Sequence, residues 1–352
     1  MTINNKKKTS LIRPNRRLFL QGTAALAGAS ALAAPSIGRA QSKELYINSW
    51  GGPWLEAATE NLFTPFTEAT GIEIRTVSPV SFAKLAAQVR TGVYEFDVTT
   101  LGGGDIVAAN NAGLLEPIEE SYPGGLFQNG VGSHAFATMM AWRTDAGWDE
   151  TPQSWADFWD VERFPGGRSL QRYPARVLPL ALLADGVAPE DLYPLDIDRA
   201  FAKLDEIKEH VRVWWTGGAQ STQILRDGEV DMIGIWHGRY FEAEDAGAPV
   251  DFTWNQAELD NAYWVVAKET PNMEAAKMFV EFATSAEPLA GFVSQANYGA
   301  LNPAADAFVP DAAKPRMPTA PGNVEQTFGQ DMLNWGGDPQ EVAMRFDEWL
   351  AS

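Results

Sequence analysis

Residues 45–54, LYINSWGGPW, decide the fold class of this 352-residue chain. Residues 45–48 are a short apolar run that predicts a buried strand, and the glycine–proline break after them predicts a turn into a helix. The same alternation continues down the chain, with helices predicted at 55–70, 82–92 and 106–112 and strands at 72–77 and 96–100. This βαβαβα order predicts an α/β fold with a mainly parallel sheet covered by helices.

Beyond residue 130 the same signals are weaker but still alternate. An extended run is predicted at 136–142, and strands at 231–236 and 263–267. Helices are predicted at 155–159, 178–183, 197–210, 222–227 and 272–284. No fixed-period repeat is present, and the length predicts about two domains.

The N-terminal 40 residues have the composition of a cleaved export signal. A basic region precedes a weakly apolar run at 18–34, and small residues at Gly38 and Ala40 favour cleavage after Ala40. The adjacent Arg16 and Arg17 resemble a twin-arginine signal. The alternative is a membrane anchor, but the run is interrupted and is shorter than the ~20 strongly apolar residues of a span. We therefore predict that the protein is exported and that this segment is removed.

The rest of the chain is strongly acidic and lacks cysteine. Seven of the 27 basic residues and none of the 46 acidic residues lie in residues 1–40, so residues 41–352 carry a net charge of −26. Such a surface repels nucleic acid and anionic lipid, so neither is a predicted partner. With no Cys and three His, a structural zinc site is not expected. No other metal and no cofactor is predicted.

Aromatic side chains and carboxylates collect where the predicted strands end. In an open α/β sheet these ends border the crevice that binds ligands. Aromatic faces attract an organic ammonium and carboxylates accept its hydrogen bonds, although a single Trp is more often core than ligand wall. The residues at these ends are Trp50, Trp54, Gly102, Gly103, Gly104, Asp105, Trp214, Trp215, Trp236, Asp260, Tyr263, Trp264 and Tyr298. The glycine run could also bind an anion through backbone N–H groups, but it lacks the Lys and the spacing of a Walker motif, and a tight strand-to-helix turn explains it better.

Seven short motifs in a fixed order identify a family resemblance over residues 41–352. They are YINSWGG (46–52), TEATGI (67–72), FDV (96–98), GLLEPI (113–118), SWADFW (154–159), GEVD (228–231) and IWHG (235–238). In this order they resemble a periplasmic solute-binding protein of an ABC importer, near the spermidine/putrescine-binding branch.

The resemblance implies a type II periplasmic binding protein, in which two α/β lobes joined by crossover strands hold a ligand in the cleft between them. The implied segments are the signal at 1–40, lobe I at 41–138, lobe II at 139–263, a return to lobe I at 264–305, and a C-terminal helical segment at 306–352 packing on lobe II. The implied partners are a small-molecule ligand and the transmembrane permease subunits of the importer, with the protein itself a monomer.

Polyamine-binding roles carry over to a set of aromatic and acidic positions. These implied ligand-binding residues are Trp50, Trp54, Asp105, Trp236, Asp260, Tyr263 and Tyr298. Two positions depart from the branch: Gly102–Gly104 replace a polar and aromatic pair, and the segment around Arg172 and Arg176 replaces an acidic pair. An inward-facing arginine would indicate a ligand with a carboxylate, because its planar fork suits that group.

The resemblance therefore favours capture of a polyamine of the putrescine or spermidine type, with a zwitterionic amino-acid-like solute as the alternative. An exported hydrolase is a further alternative, but none of the familiar nucleophile or metalloprotease motifs is present, so no catalytic residue is predicted. A ferric-ion binder of the same fold ranks lower, because only Tyr298 is well placed among the tyrosines.

Overall fold

Two long antiparallel strands run through the centre of the molecule. The computed structural model describes residues 43–118 and 121–352. The two long strands are β5 (Gly130–Arg143) and β9 (Val250–Val266), the longest in this part of the chain. They pair from Val131–Trp264 at one end to Arg143–Val250 at the other, with register shifts along the way. The sheet on one side of this pair builds lobe I, and the sheet on the other side builds lobe II.

Lobe I contains the first strands of the chain. The order β2–β1–β3–β9 places β1 between two parallel neighbours, and β3 is antiparallel to β9. The strands are β1 (Glu44–Asn48), β2 (Glu73–Val77) and β3 (Val98–Gly102). The helices are α1 (Gly52–Ala58), which continues through a π-helical turn (Thr59–Phe63) into α2 (Thr64–Thr70), α3 (Phe82–Thr91), α4 (Gly103–Asn111), α10 (Met273–Ala283) and α11 (Ala286–Ala296). Apolar side chains of β1, α2, β9, α10 and α11 form one of its cores.

Lobe II has the same layered construction. The order β5–β8–β6–β7 places β6 between two parallel neighbours, and β8 is antiparallel to β5. The strands are β6 (Arg168–Gln171), β7 (Val211–Trp215) and β8 (Met232–Trp236). The helices are α5 (Trp155–Trp159), α6 (Pro174–Ala184), α7 (Ile197–Ile207), α8 (Gly218–Arg226) and α9 (His237–Asp245). One core lies between α5, α6 and α7, and a second lies beneath α8 and α9.

The C-terminal segment contacts both lobes in turn. β10 (Gly299–Ala300) pairs with β5, and β11 (Phe328–Gly329) pairs in parallel with β9, whereas β4 (Leu126–Phe127) is a hairpin partner of β5. Val309 and Met317 lie in the lobe I core, whereas Phe346 of the last helix, α12 (Pro339–Ala351), lies in the lobe II core. Arg316 also pairs with Glu244 and Asp245 of α9, so the segment predicted to pack on lobe II packs on both lobes.

The predicted α/β layering is confirmed, but the sheet is mixed because the crossing strands are antiparallel to their neighbours. The return strand begins at Val250, earlier than the predicted 263. Two lobe II strands, β6 and β7, were not predicted. β6 contains Arg168, which is fully buried because backbone carbonyls of Phe158 and Gly166 accept its N–H groups at 3.1 and 2.9 Å.

The described residues, 43–118 and 121–352, belong to one compact unit. The predicted export signal lies outside the described residues. Within the described part of the chain, every helix is too short or too polar to cross a membrane.

Candidate functional site

The carboxyl ends of parallel strands from both lobes border the middle of β9. β3 of lobe I ends at Gly102 and turns directly into α4, whereas β6 of lobe II ends at Gln171 and turns into α6. The α4 turn comes so close to lobe II that a Cβ atom on Gly103 would lie 3.6 Å from Nη2 of Arg176. This arrangement brings two helix N-termini, one from each lobe, to one place on the central strand pair.

Arg176 is the central charged side chain of this place. It lies in the first turn of α6, which begins with Pro174 at its first position. Its guanidinium donates to Glu258 Oε2 at 3.1 Å and to Asp260 Oδ2, and it lies 5.3 Å from the ring centroid of Phe136. Only 14% of the side chain is exposed. Arg176 therefore faces inward and is held by the charge-assisted hydrogen bonds that it donates to the carboxylates of β9.

Glu258 and Asp260 project from the same face of β9, because strand residues two apart share a face. Both residues are buried, Glu258 completely. Gln330 donates its amide Nε2 to Glu258 Oε1 at 3.1 Å and to the Ala175 carbonyl at 3.0 Å. Burial and the neighbouring Asp260 raise the pKa of Glu258 to about 7, although Arg176 opposes this shift.

The turn after β3 contributes space rather than side chains. Gly103 has φ +48°, a left-handed conformation that glycine adopts without a steric penalty. A Cβ there would lie 2.8 Å from Gln330 Oε1 and 3.4 Å from Asp260 Oδ2. Asp105 follows in the first turn of α4. Although Asp105 keeps exposed surface, surrounding protein atoms raise the pKa of its carboxyl group, and the positive charge of Arg176 opposes that shift.

Aromatic rings lie beside this charged cluster on the lobe II side. Tyr173 stacks on Trp236 with ring centroids 6.2 Å apart and planes 22° apart, and its hydroxyl donates to the Thr216 carbonyl at 2.6 Å. Burial, together with the charge of Asp105 across the cleft, raises the pKa of Tyr173. The indole N–H of Trp236 is buried and has no acceptor among the described residues.

On the lobe I side, Trp50 follows β1 and keeps 49% of its surface exposed. Its indole N–H donates to Thr100 Oγ1 at 2.9 Å, which fixes the ring beside the end of β3. A half-exposed tryptophan at a strand end is available for contact with a ligand.

A small cavity opens beside Asp260. Its volume is about 180 Å³, below the roughly 300–1,000 Å³ of pockets for drug-sized ligands, so it suits a small solute. Gly103, Asp260 and Tyr263 line it, the last with its ring 5.3 Å from Phe127. Its other wall is formed by residues 329–333. We name residues 328–333, which include β11, the strap.

Two residues expected near a ligand, Trp54 and Tyr298, lie elsewhere. Trp54 is 4% exposed, because α1 points its ring into the lobe I core against Trp264 and Phe292. Tyr298 is half-buried and packs on His134 at 4.6 Å, and burial raises its pKa to about 12. We therefore remove both residues from the proposed ligand contacts.

The two arginines of the α6 turn separate clearly. Arg172 is 46% exposed and pairs with Asp347 of α12 at 2.7 Å, so it faces away from the cluster around Arg176. The structure thus brings together Asp105, Arg176 and Asp260 of the residues selected from the sequence, with Tyr263 at the cavity and Trp236 behind Tyr173.

Sequence reasoning missed Glu258 and Gln330. The spacing Glu258–Leu259–Asp260 places two carboxylates on one strand face, a signal that was available once β9 was extended back to Val250. Gln330 gave no such signal, because only the pairing of β11 with β9 brings it to the site.

Comparisons with known proteins agree with this architecture. A family model described as "Bacterial extracellular solute-binding protein" matches residues 61–319. A gamma-aminobutyric acid (GABA)-binding protein of Pseudomonas aeruginosa is 33% identical over 334 residues, which cover 91% of this chain and 94% of that protein. A spermidine/putrescine-binding periplasmic protein of Escherichia coli K12 is 24% identical over 278 residues, 73% of this chain and 77% of the other.

Solved structures give the same result. An ABC transporter substrate-binding protein from Bradyrhizobium japonicum superposes with a TM-score of 0.82 and 34% identity, over 87% of this chain and 99% of that chain. A structure described as a GABA receptor superposes with a TM-score of 0.80 and 32% identity, over 88% of this chain and 98% of that chain.

Proposed function

The chain belongs to the bacterial extracellular solute-binding proteins, and from this premise we propose that it captures a small zwitterionic, amino-acid-like solute in the periplasm. As the substrate-binding protein of an ABC transporter, it delivers that solute, as a monomer, to the transmembrane permease subunits. No chemical conversion of the solute is part of this function.

The inward-facing Arg176 carries the proposal. A zwitterion can insert into the Arg176–Asp260 ion pair. The ligand's carboxylate then pairs with the guanidinium of Arg176, and the ligand's ammonium pairs with the carboxylate of Asp260. The number of paired charges is then conserved, which matters because an unpaired buried charge is costly. The planar fork of arginine also suits a carboxylate.

The relatives support the same ligand class. Two of the proteins that share about a third of their residues with this chain are described by their binding of GABA, which has an amine and a carboxylate at opposite ends. The polyamine-binding relative is more distant, at 24% identity.

A polyamine remains the second candidate because the cluster is rich in carboxylates. Asp105, Glu258 and Asp260 surround the single guanidinium of Arg176, and the charge of Asp105 acts on the neighbouring Tyr173 ring. A diamine would, however, meet Arg176 as a like charge in a buried place, which is unfavourable. We therefore place the zwitterion first.

Isothermal titration of the purified protein with GABA, putrescine and spermidine tests the proposal. We expect saturable binding of GABA and no heat with either polyamine at the same concentrations. A thermal-unfolding series should show about 2.7 kcal/mol of added stability at 100 times the dissociation constant. Tight binding of putrescine or spermidine without binding of GABA would reverse the ranking. Recovery of an altered solute would contradict a transport role without chemistry.

A further inference from the structure

The strap lies outside the part of the chain that the family model matches. The matched residues end at 319, whereas the strap begins at Phe328. It is tied to the central strand pair, because Phe328 and Gly329 pair with Glu258 and Leu259 and the backbone N–H of Gln330 donates to the Leu259 carbonyl at 3.3 Å. A segment far along the chain is thus fixed against the two carboxylates of β9.

The side-chain amide of Gln330 is held in one orientation. Its Nε2 group donates both of its hydrogens, to the Ala175 carbonyl and to Glu258 Oε1. The amide oxygen must then point the other way, and it is buried with no donor among the described residues. A buried acceptor without a donor costs on the order of 1–3 kcal/mol, so its place calls for an explanation.

The surroundings of this oxygen show which donor would satisfy it. A Cβ atom on Gly103 would lie 2.8 Å from Gln330 Oε1, 3.4 Å from Asp260 Oδ2 and 3.6 Å from Arg176 Nη2. The three groups therefore converge beside Gly103, and Gly103 and Gln330 both line the 180 Å³ cavity. A neutral acceptor next to a carboxylate suits a group with several N–H donors and a positive charge, namely a primary ammonium.

We propose that Gln330 is a specificity-determining residue, whose amide oxygen accepts a hydrogen bond from the ligand's ammonium beside Asp260. The choice of a zwitterion as the first probe rests on the proposed function. Gln330 recognises N–H donors rather than charge alone, so the protein discriminates against ligands whose nitrogen is fully methylated.

Two probes separate these contributions. GABA carries –NH₃⁺, and 4-(trimethylammonio)butyrate carries the same charges without an N–H group. Titration calorimetry measures both on the full-length protein, on Gln330→Met and on Gln326→Met. Gln326 is an exposed residue of the same C-terminal segment, whose amide donates to the Gly322 carbonyl, so it controls for the substitution itself.

We expect the wild type to prefer GABA and Gln330→Met to weaken GABA binding by about ten-fold or more, as for one hydrogen bond to a charged group. Binding of the trimethylated probe should stay within about two-fold, and Gln326→Met should match the wild type. Gln330→Asn withdraws the amide oxygen by one methylene, and it replaces the methionine variant if that fails to fold.

Equal weakening of both probes would overturn the proposal, because a structural role affects them alike. If the wild type binds putrescine and not GABA, the proposed function fails but putrescine and its permethylated form test Gln330 in the same way. If the wild type binds neither class, both proposals are overturned.

Discussion

Two strand-to-helix turns face each other across the site and differ in the side chains that they bring to β9. The turn after β3 in lobe I consists of Gly102–Gly104, whereas the turn after β6 in lobe II carries Tyr173 and Arg176. Both begin a helix near β9. The first contributes no side chain before Asp105, and the second sends a long cationic side chain to the carboxylates of β9.

The comparison shows that Gly103 and Arg176 depend on each other sterically. The space that a side chain on Gly103 would need is bordered by Gln330, Asp260 and Arg176. A glycine turn in one lobe is therefore the steric counterpart of a charged turn in the other. The composition of either turn alone does not predict the ligand, because charge and space are supplied from different lobes.

Removing the charge of Arg176 should have the largest effect on stability and ligand affinity. Arg176→Met leaves Glu258 and Asp260 buried without their cation, so we expect the free energy of unfolding to fall by about 3–5 kcal/mol. Affinity for GABA should be lost, and any residual binding should shift toward putrescine. Urea denaturation and titration calorimetry measure the two effects.

Arg172→Met is the matched control, because it changes the same residue type four positions away. Its exposed pair with Asp347 is worth about 0–1 kcal/mol, so stability and ligand affinity should change little. Similar losses in both variants would show that the inward position of Arg176 has no special role.

Filling the space in the lobe I turn should have the next largest effect. Gly103→Ala combines a left-handed backbone with a Cβ atom 2.8 Å from Gln330 Oε1, so we expect about 2–4 kcal/mol of destabilisation and weaker ligand binding. Gly104→Ala is the control, because its Cβ would meet only the flexible end of Met332. Equal stability of the two variants in urea denaturation would contradict the steric pairing of the turns.

Most strands of lobe I could be predicted from the sequence alone. β1 is a short apolar run, β2 alternates apolar and polar residues, and helices with 3.6-residue periodicity separate the strands, so β1 to β3 were predictable. Lobe II was harder, since β6 is a four-residue strand whose first residue is an arginine, and hydrogen bonds to carbonyls rather than apolar character explain its burial.

The site was predictable only in part for a related reason. Trp50 and Trp54 follow the same strand four residues apart, yet the direction of α1 exposes one and buries the other. Arg176 was a candidate because of its residue type, but its inward orientation depends on contacts with β9, more than 80 residues later. Gln330 depends on the position of the strap. Such contacts between distant segments leave no local pattern.

The smallest expected effect is a pH dependence of stability caused by Glu258, whose carboxyl group lies between Arg176 and Gln330. Its pKa is raised from an ordinary 4.5 to about 7, so the folded state binds a proton more readily than the unfolded state does. The stability that this proton contributes is complete below pH 4.5 and is lost as the pH rises through about 7.

The variant Glu258→Gln has no titrating proton at this position. The stability of the wild type relative to this variant should therefore fall between pH 4.5 and 7, by on the order of 1–3 kcal/mol, and stay level above pH 8. Urea denaturation of both proteins at each pH measures this difference, and groups common to both cancel. A difference that instead rises with pH would mean that the Arg176 ion pair outweighs burial and holds Glu258 ionised. The charged turn would then be bound to β9 as a permanent ion pair, and a zwitterion would gain less by inserting into it.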